Sequence, residues 1–271
     1  MGGRWSFSMT ALFQRLGHLL HRLRSGSIEF HLRPYQQQLA QINSLQDSFR
    51  RSSDAELKTA ADALRRRAQA GQARHQLLFE AFALVREAAD RALGLRPYDE
   101  QMLAALALDQ GKVAEMQTGE GKTLAAVPAA FLGSPTGRGV HVLTFNDYLA
   151  HRDCQWMGPV YRLLGATVGH IHQGMTTTQR QAGYATDITY VTAKEAGFDF
   201  LRDQICVSVT ELVQRPLHYA IVDEADSIMI DEARVPLVIA GETEELEVDI
   251  RHLADVVRTL DPTTDYSIDG S

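Results

Sequence analysis

Only two cysteines, Cys154 and Cys206, occur in the 271 residues of this sequence. Two thiols cannot build a disulfide framework or a four-ligand zinc site, which points to a reducing compartment. No run approaches the ~18 consecutive apolar residues that cross a bilayer. The longest, residues 124–132, is nine residues long and contains Pro128. The ten histidines show no HxxxH and no cysteine-paired spacing that would mark a metal site. Internal repeats and low-complexity tracts are also lacking. A formal net charge of −7 argues against whole-surface attraction to nucleic acid. What is present, 45% hydrophobic and 23% charged residues, is the profile of a soluble globular chain of one large domain or two small ones.

The charge is unevenly spread. Residues 1–28 carry Arg4, Arg15, Arg22 and Arg24 and no acid, whereas residues 242–269 hold nine acids against Arg251 and Arg258. The basic start lacks the apolar core and cleavage site of a signal peptide. Instead Leu12, Leu16, Leu19, Leu20 and Leu23 recur at helical spacing between the arginines. Residues 1–34 are therefore expected to form a basic amphipathic segment. Such a helix lies on an anionic membrane surface, docks in a partner groove, or packs on its own protein.

Residues 35–95 predict a helical region. Ser53 followed by Glu56 is a capping box, Leu57, Ala61 and Leu64 mark one apolar face, and a second helix from about His75 to Leu93 stops at Gly94. From Lys112 the rhythm changes to short apolar runs alternating with helical patterns. Strands are predicted over 113–116, 140–145, 167–171, 188–192, 219–222 and 235–239. That alternation describes an α/β fold with a parallel sheet, occupying residues 96–241. After Gly241 the composition turns acidic and a boundary is expected, leaving 242–271 as a separate region.

Three local patterns carry chemistry. The first is Thr118-Gly119-Glu120-Gly121-Lys122-Thr123, set between the predicted strand 113–116 and a helical run. A loop without bulky side chains lets backbone N–H groups converge on a phosphate. Lys122 would add positive charge and the Thr123 hydroxyl would coordinate Mg²⁺. The usual pattern has a further glycine where this chain has Met116. The second is Tyr219-Ala220-Ile221-Val222-Asp223-Glu224-Ala225-Asp226, an apolar strand ending in carboxylates. There Asp223 is the metal-side acid, acting through water, and Glu224 would orient or deprotonate the attacking water. The third is Gln101, after Arg96-Pro97-Tyr98-Asp99, whose amide matches the N6 and N7 edge of adenine.

Together these patterns resemble a RecA-like P-loop nucleotide-binding domain of the DEAD-type motor class. The intervening segments resemble one family in that class, SecA, the ATPase that drives proteins through the bacterial Sec channel. They are Thr144-Phe145-Asn146-Asp147-Tyr148-Leu149-Ala150-His151-Arg152-Asp153, Asp187-Ile188-Thr189-Tyr190, Gly197-Phe198-Asp199-Phe200-Leu201-Arg202-Asp203 and Ile230-Asp231-Glu232-Ala233-Arg234-Val235-Pro236-Leu237. With Ala81-Phe82-Ala83-Leu84-Val85-Arg86-Glu87-Ala88 upstream, the resemblance covers about residues 50–241.

The resemblance implies ATP and Mg²⁺ as ligands, with Gln101 reading adenine and Gly119, Glu120, Gly121, Lys122 and Thr123 forming the phosphate loop. It makes Asp223 the Mg²⁺-associated acid and Glu224 the catalytic one. It implies the Sec membrane channel and preprotein as partners, with no nucleic acid, and a cytoplasmic location on the inner membrane's cytoplasmic face. The basic start would contact anionic lipid, and 242–271 would open the preprotein cross-linking domain. Two departures mark a divergent member. Val191-Thr192-Ala193-Lys194 replaces the usual Gly-Thr-Asn-Asn, and Gln117 stands where a basic residue is common.

The family continues through a second motor domain that supplies an arginine finger. The expectation for the present chain alone is therefore ATP binding with slow hydrolysis, unless a homo-oligomer or complementing motor chain completes the cleft. The alternatives are a nucleic-acid helicase domain of the same class, or a non-hydrolysing ATP-binding regulatory fragment.

Overall fold

The computed structural model describes residues 32–239, 255 and 257–260. The amphipathic helix expected within 1–34 and most of the acidic region 242–271 lie outside the described residues.

Four helices come first: α1 (Arg33–Arg51), α2 (Asp54–Gln69), α3 (Arg74–Leu93) and α4 (Asp99–Asp109). The capping box opens α2, with Ser53 N donating to Glu56 Oε2 at 2.6 Å and Glu56 N to Ser53 Oγ at 3.3 Å. The apolar face of Leu57, Ala61 and Leu64 is buried. α3 ends at Gly94, whose φ of 66° is a left-handed conformation that glycine adopts without strain.

α3 is the axis of the packing. Every residue from Ala81 to Ala89 is buried, so this helix is covered all round by α1, α2, α5 and α6. Two of those buried residues are charged, and both are satisfied. Arg86 donates to Pro97 O at 2.8 Å, Asn43 Oδ1 at 2.6 Å and Asp99 Oδ1 at 2.8 Å. Glu87 accepts from Arg91 at 2.9 Å and Arg96 at 3.3 Å. Those bonds fix the segment 96–99 that leads into α4.

The second half runs α5 (Lys122–Gly133), β1 (Val140–Thr144), α6 (Asp147–Leu163), β2 (Val168–His170), α7 (Thr177–Tyr184), β3 (Ile188–Thr192), α8 (Ala193–Ile205) and β4 (Tyr219–Val222). The sheet has strand order β2-β3-β1-β4 and every pairing is parallel. Val140 lies opposite Ile188 on one side and Tyr219 on the other. All five residues of β3 are buried, as befits a strand covered on both faces. Because the strands are parallel, Thr144, Thr192 and Val222 end on one edge, where α/β sheets place their ligands. The divergent segment 191–194 carries a structural duty there: Thr192 Oγ1 caps α8 by accepting from Glu195 N at 3.0 Å.

The architecture is α/β with a parallel sheet after a helical region, and four of the six predicted strands are in it. The other two, 113–116 and 235–239, are not strands. Val113 is 88% exposed and Val238 68% exposed. A strand is a pairing relation rather than a local property, and among the described residues none pairs with the outer edge of β4. The phosphate-loop motif is thus preceded by chain without regular structure, not by the expected strand.

Candidate nucleotide site

The loop ahead of α5 is shaped by two glycines. Gly119 has φ 89° and Gly121, which caps α5, has φ 81°, both in the region that other residues adopt only with strain. The loop then binds itself. Gln117 N donates to Glu120 Oε2 at 2.7 Å, and Glu120 N donates to Gln117 O at 3.2 Å. The intrahelical ladder starts only at Ala125, whose N–H reaches Gly121 O at 3.0 Å. The first-turn N–H groups ahead of it are the donors that suit a phosphate.

Gln101, in the first turn of α4, is buried beside this loop. Its Oε1 accepts from Tyr98 N at 2.9 Å, and its Nε2 donates to Glu120 O at 2.8 Å. A primary amide has two acceptor lone pairs and two N–H groups, so one of each stays free for a ligand. Gly121 is required for this contact as well as for its φ, because a Cβ there would overlap the Gln101 amide nitrogen.

The acidic pair arrives from the sheet. Asp223 N donates to Leu143 O at 2.8 Å, extending the β1–β4 ladder and setting Asp223 and Glu224 at the carboxyl edge. Glu224 has φ 50°, the one left-handed non-glycine residue among those described, and its N–H donates to Asp223 Oδ1 at 2.9 Å. Its carboxylate turns to the loop, with Oε2 lying 3.7 Å from Lys122 Nζ. Both side chains are about two-fifths exposed, so the contact serves position more than stability.

Burial raises the Asp223 carboxyl above its ordinary value of 3.8, with the nearby Asp153 adding to the rise, against the Glu224 N–H bond and the charges of Lys122 and Arg152. A half-buried acid without a full charge partner is the donor a hard cation would relieve, and Thr123 stands next to Lys122 in the first turn of α5. This donor set fits Mg²⁺.

The fold thus brings Gln101, the loop 119–123, Asp223 and Glu224 to one edge. It adds residues to which motif reading gave no role. Asp153 is fully buried and paired with Arg152 at 2.7 Å, and both act electrostatically on Asp223. Arg86 anchors the segment carrying Gln101. A charged residue inside the apolar run Ala81-Phe82-Ala83-Leu84-Val85-Arg86-Glu87-Ala88 was the available signal, since an arginine there must be paired. Of the two cysteines, Cys154 is buried and burial pushes its thiol up to about 11, so it is an inert packing residue.

Comparison with known proteins identifies the family. The model of the family described as the SecA DEAD-like domain matches residues 20–267. A chloroplastic protein translocase subunit, SECA1 of Arabidopsis thaliana, is 47% identical over 96% of this chain and 26% of its own length. The protein translocase subunit SecA of Coxiella burnetii is 50% identical over 85% of this chain and 25% of its own. The chain spans about a quarter of the length of such relatives. A solved hypothetical ATP-dependent RNA helicase from Sulfolobus tokodaii is similar at 21% identity and a TM-score of 0.41, over 55% of this chain and 43% of its own. With the family model matched over most of its length, the chain belongs to the SecA DEAD-like domain family.

Proposed function

We propose that this chain is the ATP-binding motor domain of an ATPase that moves proteins through the Sec membrane channel. The observation that carries the nucleotide part is the 3.7 Å approach of Lys122 Nζ to Glu224 Oε2, which joins the glycine loop to the acidic end of β4. Family membership carries the translocation part.

In this reading the first-turn N–H groups of α5 and Lys122 take the phosphates, and the free N–H and lone pair of Gln101 read adenine. Thr123 directly and Asp223 through water would hold Mg²⁺, which when bound shields phosphate charge. Lys122 then has a stronger anion than Glu224. Released from that pair, the Glu224 carboxylate accepts a proton from the attacking water. The left-handed backbone at Glu224 sets the direction in which that carboxylate points.

Titration with a fluorescent ATP analogue tests the assignment. Lys122→Ala should abolish binding, and Glu224→Gln should bind ATP yet lose turnover by about 10²–10⁴-fold in the protein that carries this domain. Wild-type affinity in Lys122→Ala would overturn the phosphate-loop reading. ATPase stimulation by preprotein and channel supports the translocation reading; stimulation by RNA or DNA alone would replace it with a helicase.

No helix among the described residues is long and apolar enough to cross a membrane. Peripheral attachment at the cytoplasmic face, through the arginines of residues 1–34, belongs to the same proposal. Co-sedimentation with anionic vesicles should fall when Arg15, Arg22 and Arg24 become glutamine, and unchanged co-sedimentation would remove it.

A further inference from the structure

Sequence spacing marks no metal site, yet the fold brings together two histidines that are nineteen residues apart. His151 sits in α6 and His170 ends β2; His151 Nδ1 lies 3.1 Å from His170 Nε2. Their rings are 4.7 Å apart at 69°, nearly edge to face. We propose that His151 and His170 form a two-nitrogen site for a late divalent transition metal such as Cu²⁺, Ni²⁺ or Zn²⁺, with water completing the coordination.

The separation suits the role. Two nitrogens each about 2.0–2.1 Å from one ion stand roughly 3 Å apart. Both backbones are held. Asn146 caps α6 through Leu149 N at 2.9 Å, and Ala150 N donates to Asn146 O at 3.1 Å. β2 is paired in register with β3 through His170 and Tyr190, and Ile171 N continues to Tyr190 O at 2.8 Å. The two ring nitrogens now share a hydrogen bond, so on held backbones only the rings need to turn toward an ion, and little further ordering opposes binding.

The chemistry of the surroundings agrees. His151 is exposed, giving an ion a path from solvent. His170 is partly buried between His151 and His172, whose rings lie 4.7 and 5.6 Å from its own, so imidazole nitrogens crowd the spot an ion would take. The Asp147 carboxylate, which accepts from Gln173 N at 2.9 Å, also supplies negative charge near an incoming cation. For both facing nitrogens to bind, each ring keeps its proton on its other nitrogen, so ligation needs a tautomer shift and no net proton loss from neutral rings.

His172 stacks on His170 at 5.6 Å and its Nδ1 contacts Gln173 O at 2.6 Å, so it flanks the pair rather than joining it. Among the described residues no group of three or more His, Cys, Asp or Glu side chains has metal-site geometry. A two-nitrogen site is accordingly the extent of the claim. It is separate in kind from the nucleotide site, whose oxygen donors suit Mg²⁺.

Calorimetric titration of the untagged chain with Cu²⁺, Zn²⁺ and Ni²⁺, without nucleotide, tests the proposal. Affinity should be highest for Cu²⁺. One ion per chain should be lost or weakened in His151→Ala and in His170→Ala, by more than the roughly 10- to 100-fold that removing an outer-shell partner costs. His172→Ala should keep it. His151 is exposed on a helix, so His151→Ala leaves the fold intact, checked by an unchanged melting temperature without metal. Electron paramagnetic resonance of the Cu²⁺ form should show two nitrogen donors, and fewer in His151→Ala. Uptake unchanged in the His151→Ala, His170→Ala double variant would assign the metal to other histidines and overturn the proposal, as would no uptake by the wild type.

Discussion

Gly121→Ala separates what a glycine does for its own backbone from what it does for a neighbour. Gly121 has φ 81°, where a Cβ costs about 1–2 kcal/mol. Its Cβ would also overlap the Gln101 amide nitrogen, and that amide is held by Tyr98 N and Glu120 O. To clear the methyl group Gln101 must give up its bond to Glu120 O, a further ~1 kcal/mol. The expected cost is about 2–3 kcal/mol. If it falls on the binding-competent loop, ATP affinity drops roughly 30- to 150-fold.

Gly119→Ala is the control. Gly119 has φ 89° but open space where a Cβ would go, so only the backbone share of about 1–2 kcal/mol applies. A fluorescent ATP analogue titrated into Gly121→Ala, Gly119→Ala, Gln101→Ala and the Gly121→Ala, Gln101→Ala pair reads out both shares. With Gln101 shortened, the cost of Gly121→Ala should shrink to that of Gly119→Ala, giving a coupling of about 1 kcal/mol. Equal costs at the two glycines in the wild-type background, with no coupling to Gln101, would refute the reasoning.

Two other sites give independent expectations. The Asp223 carboxyl is raised above 3.8 in the folded chain, chiefly by burial, so the folded state holds its proton more tightly than the unfolded state. Stability is then lost as pH rises from about 3.8 through the raised value. Asp223→Asn should melt higher than wild type at neutral pH without ligand, converge with it in acid, and gain less than wild type from Mg²⁺–ATP; a lower melting temperature at neutral pH would contradict this. Arg180 bonds Asp199 at 2.8 Å and Glu195 at 2.7 Å, with both acids buried. Arg180→Ala should cost about 3 kcal/mol in urea unfolding because it strands Glu195, whereas Asp199 keeps Arg202 at 3.0 Å and the Tyr184 hydroxyl at 2.8 Å, and a loss under about 1 kcal/mol would count against it.

What could be read in the sequence was whatever a short window encodes. The Ser53–Glu56 box, the Leu57, Ala61 and Leu64 face and the stop at Gly94 are relations within one or two helical turns, and all are present. The strands at 188–192 and 219–222 were legible as short runs rich in β-branched and aromatic residues, although only the first is buried throughout. The same rule failed at 113–116 and 235–239, since an apolar run says nothing about whether a partner edge is free. Long-range partners were invisible for the same reason. No local pattern links Arg86 to Asn43 and Asp99, His151 to His170, or Arg152 and Asp153 to Asp223.

Gln101 shows why a motif's residue can have two duties. Read from sequence, its amide was an adenine reader alone. In the fold it spends half its hydrogen-bonding capacity on Tyr98 N and on Glu120 O, and so also braces the phosphate loop. The two duties predict different losses. A pure base reader, once removed, would lower ATP affinity and leave the affinity for inorganic tripolyphosphate unchanged. A brace would lower both, because Glu120 O loses its donor and the loop its preferred shape. One neutral hydrogen bond is worth about 1 kcal/mol, or roughly fivefold in affinity. Gln101→Ala should therefore weaken tripolyphosphate about fivefold and ATP by more, with the excess measuring adenine recognition. Unchanged tripolyphosphate affinity would reduce Gln101 to the single duty its sequence context suggested.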